Sequence, residues 1–245
     1  MNSITISLLI LLLGMTQTIA AADQKKSWEI VDNMEGIEVS RGQFPNQGLY
    51  QFKGVGRVTG TVSQLIALYA DPTRQPKWVD GCLYAKLVER NYDPKLEAHL
   101  KKDVAKLTQV IYGVQDVPWP LATRDYVIKT GLAYELEGPN LKRIIITAKS
   151  HKDERYPPHK GRVRIPLMNT AITLTPINAN ITEVSFSVMV DPAGIVPNWV
   201  VNLVTRTVPY KTIVKTRKAM QARDFDPNLA SYVKQRIDSF KSKTH

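Results

Sequence analysis

The chain has 245 residues, 43% hydrophobic and 22% charged, a balance that suits one globular domain large enough to bury a core and wall a cavity. A formal net charge of +11 implies attraction to something anionic, nucleic acid or a membrane surface, without choosing between them. Cys82 is the only cysteine, which excludes an intramolecular disulfide and any thiolate metal cluster.

The first charged side chain is Asp23. Before it, Leu8 to Leu13 is an unbroken apolar run, followed by polar Thr16, Gln17 and Thr18 and then Ala20, Ala21 and Ala22, the order of a cleaved export signal. Residues 1–22 are therefore set apart from the fold, and the mature chain is expected to be exported, periplasmic in a Gram-negative bacterium and secreted otherwise. An uncleaved anchor is the alternative, but the run is short for a span of about 20 residues. With no disulfide available, stability must come from the core, and Cys82 reads as a buried small hydrophobe rather than a reactive thiol. Asn180-Ile181-Thr182 fits a glycosylation acceptor.

From Trp28 to Val58, Ile37, Val39, Tyr50, Phe52 and Val55 alternate with polar residues around a turn region at 42–48, which predicts two or three antiparallel strands. Thr61 then caps a helix whose buried face carries Val62, Leu65, Ile66 and Tyr69, and Asp71-Pro72 starts a short turn. Strand patterns return at 84–91, 104–114, 124–137, 143–151, 162–176 and 182–191, with hairpin signals at Gly138-Pro139-Asn140 and Asn178-Ala179-Asn180 and a loop at 151–161. The period changes past Gly194. Trp199, Val200, Leu203, Val204, Tyr210, Ile213, Val214 and Met220 follow one helical face, with Pro209 inside it as a kink. The tail from Asp226 is read as a further short helix. The sum is a long twisted antiparallel sheet interrupted and followed by helices, an architecture that leaves room for an apolar cleft.

The residues that carry chemistry are sparse. His99, His151, His159 and His245 lack zinc-type spacing, no metal or cofactor is expected, and no Gly-x-Ser-x-Gly elbow exists. Gly54-Val55-Gly56 lies between strand patterns rather than at a helix start, so it reads as a bend in a strand. Arg124 and Asp125 are adjacent, and adjacent strand residues point to opposite faces, so they do not form one acid-base couple. By the same parity Arg124, Tyr126, Ile128 and Thr130 share a face.

The series Trp78, Pro118-Trp119-Pro120, Arg124-Asp125-Tyr126-Val127, Gly161-Arg162-Val163-Arg164 and Asp191-Pro192-Ala193-Gly194 through Pro197-Asn198-Trp199-Val200-Val201-Asn202 resembles the START family, the lipid-transfer domains related to the steroidogenic acute regulatory protein. The resemblance spans about residues 28–223 and suggests an exported single-domain member of bacterial type. It implies an α+β helix-grip fold, in which a curved antiparallel sheet wraps a long C-terminal helix over an internal hydrophobic tunnel. It implies binding and carriage of one lipid, fatty acid or sterol without catalysis, gated by the helix at 197–223 and nearby loops. The domain boundaries are then 1–22 for the signal, 23–225 for the lipid-binding domain and 226–245 for a basic tail. Sterol-binding members resemble each other in a buried acid-base pair on neighbouring strands. The matching positions here fall near Ile111 and Thr130, both uncharged, so that anchor is not expected.

Strand parity and the helix face nominate Tyr126, Ile128, Thr130, Ile172, Leu174, Phe186, Val188, Trp199, Leu203 and Thr207 as ligand-binding residues. Hiding about 400 Å² of apolar ligand surface is worth roughly 10 kcal/mol before the costs of association, so release is expected to require a membrane. The stretch 205–245 carries ten Lys and Arg against three Asp, and Lys211, Lys215, Arg217 and Lys218 are nominated to dock transiently on an anionic surface. A monomer is expected. The rival readings are a cavity enzyme of the polyketide cyclase or hydrolase type, which needs convergent polar groups inside the cavity, and a nucleic-acid binder, which only the charge supports and for which no module is visible.

Overall fold

Alternating apolar residues and tight turns build most of this molecule, and its computed structural model describes residues 28–43, 50–91, 108–117, 121–138, 140–191, 193–194, 196 and 198–242. Strands β1 (Trp28–Met34), β2 (Ile37–Gln43) and β3 (Tyr50–Thr59) precede α1 (Val62–Tyr69), a 3₁₀ turn at Pro72–Arg74 and the one-turn helix α2 (Gln75–Trp78). Strands β4 (Cys82–Asn91), β5 (Thr108–Gln115), β6 (Arg124–Glu137), β7 (Asn140–Ser150), β8 (Val163–Arg164), β9 (Leu167–Pro176) and β10 (Ile181–Asp191) follow. Helices α3 (Asn198–Gln221) and α4 (Pro227–Ser242) complete the chain. The antiparallel sheet runs in the order β1-β2-β3-β10-β9-β7-β6-β5-β4, and β8 lies parallel to β6.

Most neighbours in this order are hairpins, as the meander pattern predicts. The exceptions are β9, which pairs with β7 across the 151–166 loop, and β10, which turns back from the Asn178–Asn180 hairpin to pair with β3, Val184 opposite Gly56 and Phe186 opposite Gly54. The expected strand at 162–176 is broken in two because Pro166 has no N–H to give a ladder. The part of the expected strand at 104–107 lies outside the described residues, as do the segment 1–22 and Trp119. Thr61 caps α1 as read, accepting from Gln64 N at 3.3 Å while its own N–H donates to Gln64 Oε1 at 2.9 Å. In the glycosylation triplet Asn180 is exposed, but Thr182 is buried with its hydroxyl donated to Gly60 O at 2.8 Å. The tail helix α4 is present and packs on α1, with Val233 and Ile237 against the main core and Ala230 buried.

Gly54 and Gly56 decide where α3 sits. The two residues are not a bend but lie in the extended run of β3, on one face, and α3 rests directly on them. A Cβ at Gly54 would come within 2.9 Å of Pro209 Cβ and 3.2 Å of Ile213 Cδ1, and one at Gly56 within 3.2 Å of Ile213 Cγ2. Missing side chains thus let helix backbone approach sheet backbone. Ile213 is fully buried at the contact, and α3 runs through Pro209 without a break. The helix covers the β2-β3-β10 part of the sheet.

Gly54→Ala should lower the unfolding free energy by about 1–3 kcal/mol through overpacking, whereas Gly131→Ala should shift it by no more than about 0.5 kcal/mol. The contrast arises because a Cβ at Gly131 would meet only Thr147 Oγ1 at 3.5 Å. Urea midpoints followed by circular dichroism measure both, and a Gly54→Ala midpoint equal to that of the parent chain would contradict the seating of α3 on β3.

Candidate ligand-binding cavity

Where α3 does not cover the sheet, an internal space of about 210 Å³ opens between β5, β6, β7, β9 and β10 on one side and α1 and α2 on the other. Its wall is mostly aliphatic: Ile66, Ile111, Ile128, Leu132, Ile146, Ile165, Met168, Ile172, Val188 and Val190, with Phe186 and Val208. Strand parity puts these residues there. On β5, Gln109, Ile111 and Gln115 face the cavity while Val110, Tyr112 and Val114 form a separate apolar cluster on the other face. On β6, Arg124, Tyr126, Ile128, Thr130 and Leu132 line the space, and Asp125 and Val127 face away. The Tyr126 ring lies across Gly113, its partner on β5, in the place a side chain would take.

Six of the ten nominated residues line the cavity: Tyr126, Ile128, Thr130, Ile172, Phe186 and Val188. Leu174 does not. Its parity is right, but it is fully buried in the main core cluster together with Leu65, Leu68 and Ile213, beyond the end of the space. Thr207 is half-buried and its neighbour Val208 takes the wall position, a rotation of one residue along α3. Trp199 and Leu203 lie on the α3 backbone, and their side chains are outside the described residues. Ile111 and Thr130 both line the space without a charge, and the Thr130 hydroxyl reaches only Gln109 O at 3.5 Å.

Sequence reading missed a small set of polar groups on the wall. Gln75, on α2, accepts a 2.8 Å hydrogen bond from the Tyr126 hydroxyl, which also lies 3.9 Å from Cys82 Sγ. Gln109 donates to Ala70 O at 3.0 Å and Gln115 to Asp80 O at 2.7 Å. Arg124 donates to Ala122 O. Isolated glutamines carry no periodic signal, so only the fold brings them together. None forms a nucleophile-base pair. Burial pushes the Cys82 thiol up to about 11 and raises Tyr126 well above the usual phenol value, so both stay protonated at neutral pH. Among the described residues no three His, Cys, Asp or Glu side chains come together as a metal site.

The nominated docking residues divide. Lys211 and Lys218 are exposed, the former 3.7 Å from Asp80 Oδ2. Lys215 instead donates to Val79 O at 2.9 Å, and Arg217 to Arg57 O at 2.9 Å and Glu35 O at 3.0 Å. These two fasten α3 to its neighbours and are engaged with carbonyls rather than presented to a surface.

On the far face of β6, Asp125 is fully buried and receives Arg164 Nε at 2.8 Å, Arg164 Nη2 at 3.1 Å and the Tyr112 hydroxyl at 3.1 Å. Arg164 also holds Tyr156 O at 3.1 Å and Pro157 O at 3.2 Å, so the pair straps the 151–166 loop across the sheet and sets the adjacent Ile165 on the cavity wall. Burial opposes the Asp125 charge, but the Arg164 hydrogen bonds and charge outweigh it and hold the carboxyl below its usual range. Such a group contributes stability that is present above about pH 4 and lost as pH falls through the lowered folded value. Asp125→Asn should therefore cost about 2–3 kcal/mol at pH 7, because Arg164 keeps some solvent access, and the gap to the parent chain should narrow below pH 4. Unfolding at pH 7 and pH 3 measures this, and a gap that does not narrow would overturn the assignment.

A START domain model matches residues 17–224. An uncharacterized protein of Pseudomonas aeruginosa is 25% identical over 199 residues, covering 81% of this chain and 89% of its own length. The phosphatidylcholine transfer protein of Rattus norvegicus is 24% identical over 177 residues, 71% of this chain and 75% of its own length. Among solved structures, the STAR-related lipid transfer protein of Xanthomonas axonopodis superposes with a TM-score of 0.64 at 24% identity, covering 79% of this chain and 98% of that fragment. Human StAR-related lipid transfer protein 5 superposes with a TM-score of 0.65 at 17% identity, over 80% and 86% of the two chains. These superpositions share the helix-grip arrangement of antiparallel sheet and packed C-terminal helix. With a family model covering most of its length, and the sheet, helix and cavity arranged as described, the chain belongs to the START domain family.

Proposed function

We propose that this START lipid-transfer domain binds one hydrophobic ligand of the lipid class in its cavity and carries it between membranes without altering it. The observation that carries the reading is the aliphatic space beside α2 and β6, whose few polar groups are mostly tied to backbone carbonyls. Such a wall favours apolar surface and supplies no converging acid and base. A phospholipid is the favoured ligand because the named curated relatives include phosphatidylcholine transfer proteins. At about 210 Å³ the space is below the roughly 300–1,000 Å³ of most ligand sites, so a two-chain lipid enters only if a wall yields.

Transfer also needs a surface at which the ligand can leave. Lys211 and Lys218, the exposed members of the α3 set, supply charge for an anionic membrane, each contributing on the order of 1 kcal/mol near it. Export through residues 1–22 belongs to the same reading and places the carrier outside the cytoplasm; a mature amino terminus near Asp23 after secretion checks it.

Solvent extraction of the purified chain followed by mass spectrometry should release lipid in about one-to-one ratio, and Ala148→Trp, which fills the cavity, should release none while remaining folded. Equal lipid from both proteins would place the ligand elsewhere. Lys211→Glu with Lys218→Glu should reduce binding to vesicles containing phosphatidylserine by about tenfold at low salt and leave extractable lipid unchanged. Unaltered vesicle binding would remove α3 from the docking surface.

A further inference from the structure

The α2 turn carries two hydrogen-bond donors that have no partner among the described residues. Gln75 is almost fully buried and lines the cavity, and its Oε1 is occupied by the Tyr126 hydroxyl at 2.8 Å. No hydrogen bond among the described residues involves its Nε2. With the Tyr126 hydroxyl donating to Oε1, the amide N–H₂ is the end of Gln75 that carries no hydrogen bond among the described residues. Trp78, three residues on and also on the wall, has a buried indole Nε1 with no hydrogen-bond partner among the described residues. A buried donor without an acceptor is rare and costs on the order of 1–3 kcal/mol, so the Trp78 indole N–H, with the Gln75 amide on the same turn, marks a place where an acceptor fits.

The turn is also held in place. Gln109 and Gln115 on β5 tie down Ala70 O and Asp80 O at its two ends, at 3.0 and 2.7 Å. From α3, Lys215 holds Val79 O at 2.9 Å, and the Thr212 hydroxyl accepts from Asp80 N at 3.4 Å. Donors on so tethered a segment are positioned before a ligand arrives, which lowers the ordering cost of binding.

Both donors are neutral, and the cavity residue that follows them, Asp80, is an acid. A buried phosphate would need a counter-charge turned toward it, but the α2 cation Lys77 is exposed and Arg124 on the same wall already donates to Ala122 O. We infer that the α2 turn is a subsite for an uncharged acceptor oxygen, the ester carbonyl of an acyl lipid, with Gln75 Nε2 as the principal donor and Trp78 Nε1 as the second. The inference rests on the lipid-carrier reading above and adds the chemical group that is recognised.

Two probes separate the ideas: a diacyl phosphatidylcholine and its dialkyl ether analogue with the same chains and headgroup, offered from vesicles to the full chain. The parent protein should bind the diester about five- to tenfold more tightly. Gln75→Met should abolish that preference, with far-UV circular dichroism reporting that the variant is folded. Trp78→Phe should reduce the preference in part. Equal binding of both lipids by the parent chain, or an undiminished preference in Gln75→Met, overturns the ester subsite and leaves lipid carriage intact. Binding of neither lipid overturns both.

Discussion

The approach of α3 to β3 at Gly54 and Gly56 is the constraint on which the rest of the molecule depends. Without side chains at those two positions, Pro209 and Ile213 can lie against strand backbone, and the helix sinks onto one part of the sheet. A helix seated that deeply fills the space over β2, β3 and β10, and it leaves the neighbouring strands without cover. Aliphatic side chains from β5, β6, β7 and β9 then face α1 and α2 across a gap they do not fill. The cavity is in this sense a remainder: close packing at one end of the concave face makes loose packing at the other tolerable, because stability is concentrated where α3, α1 and the sheet meet.

Strand β6 shows how the two faces divide their work. Arg124, Tyr126, Ile128 and Thr130 look into the cavity, and Asp125 between the first two looks out, where Arg164 binds it. The outward ion pair secures a loop whose next residue, Ile165, turns inward and completes the wall. A charge pair that never touches the ligand space therefore shapes it. The stacked Tyr112 and Tyr156 rings, 5.0 Å between centroids, reinforce the same strap from outside. Burial pushes Tyr112 up to about 12, with the Asp125 charge adding to the shift and the Arg162 hydrogen bond opposing it, so the phenol remains a donor to Asp125 across the ordinary pH range.

Much of this was legible in the sequence, for identifiable reasons. The limits of β6 follow from Arg124 through Glu137 because a turn signal and a two-residue alternation mark both its ends. The Thr61 cap and the α1 face follow from a capping box and a three-to-four spacing. The pairing of β10 with β3 was not legible, since nothing local in either strand names a partner more than a hundred residues away. On α3, apolar residues occur on more than one side, so the wall position fell to Val208 rather than Thr207. Basic residues posed the opposite problem. Lys215 and Arg217 look like a solvated face by charge, yet the fold places backbone carbonyls within reach of both, and a count of charges has no term for that. Gln75, Gln109 and Gln115 escaped for the same reason, because their meaning lies in which carbonyl or hydroxyl they meet.

The tethers on α3 are unevenly spread along it. From Lys211 onward the helix is held by Asp80, by Val79 O, by the Tyr69 hydroxyl on Thr216 at 3.3 Å, and by Arg217 on the carbonyls of Arg57 in β3 and Glu35 in the β1–β2 turn. Tyr69 and Thr216 are buried, so breaking their bond leaves unpaired groups out of water. Pro209 stands at the head of this fastened stretch, and having no N–H it cannot close the helical hydrogen bond to residue 205. Before it, Arg206 holds Val31 O and Asp32 Oδ2 at 2.9 Å each, but in solvent, so the weakest backbone link separates an exposed attachment from buried ones. Displacement that starts before Pro209 opens the space beside Val208 and Val196 while the seat on Gly54 and the α2 turn stay in place. Displacement that starts after it would have to lift Ile213 from the core. The same close contact that leaves the cavity beside it thus holds the part of α3 after Pro209 more firmly than the part before it.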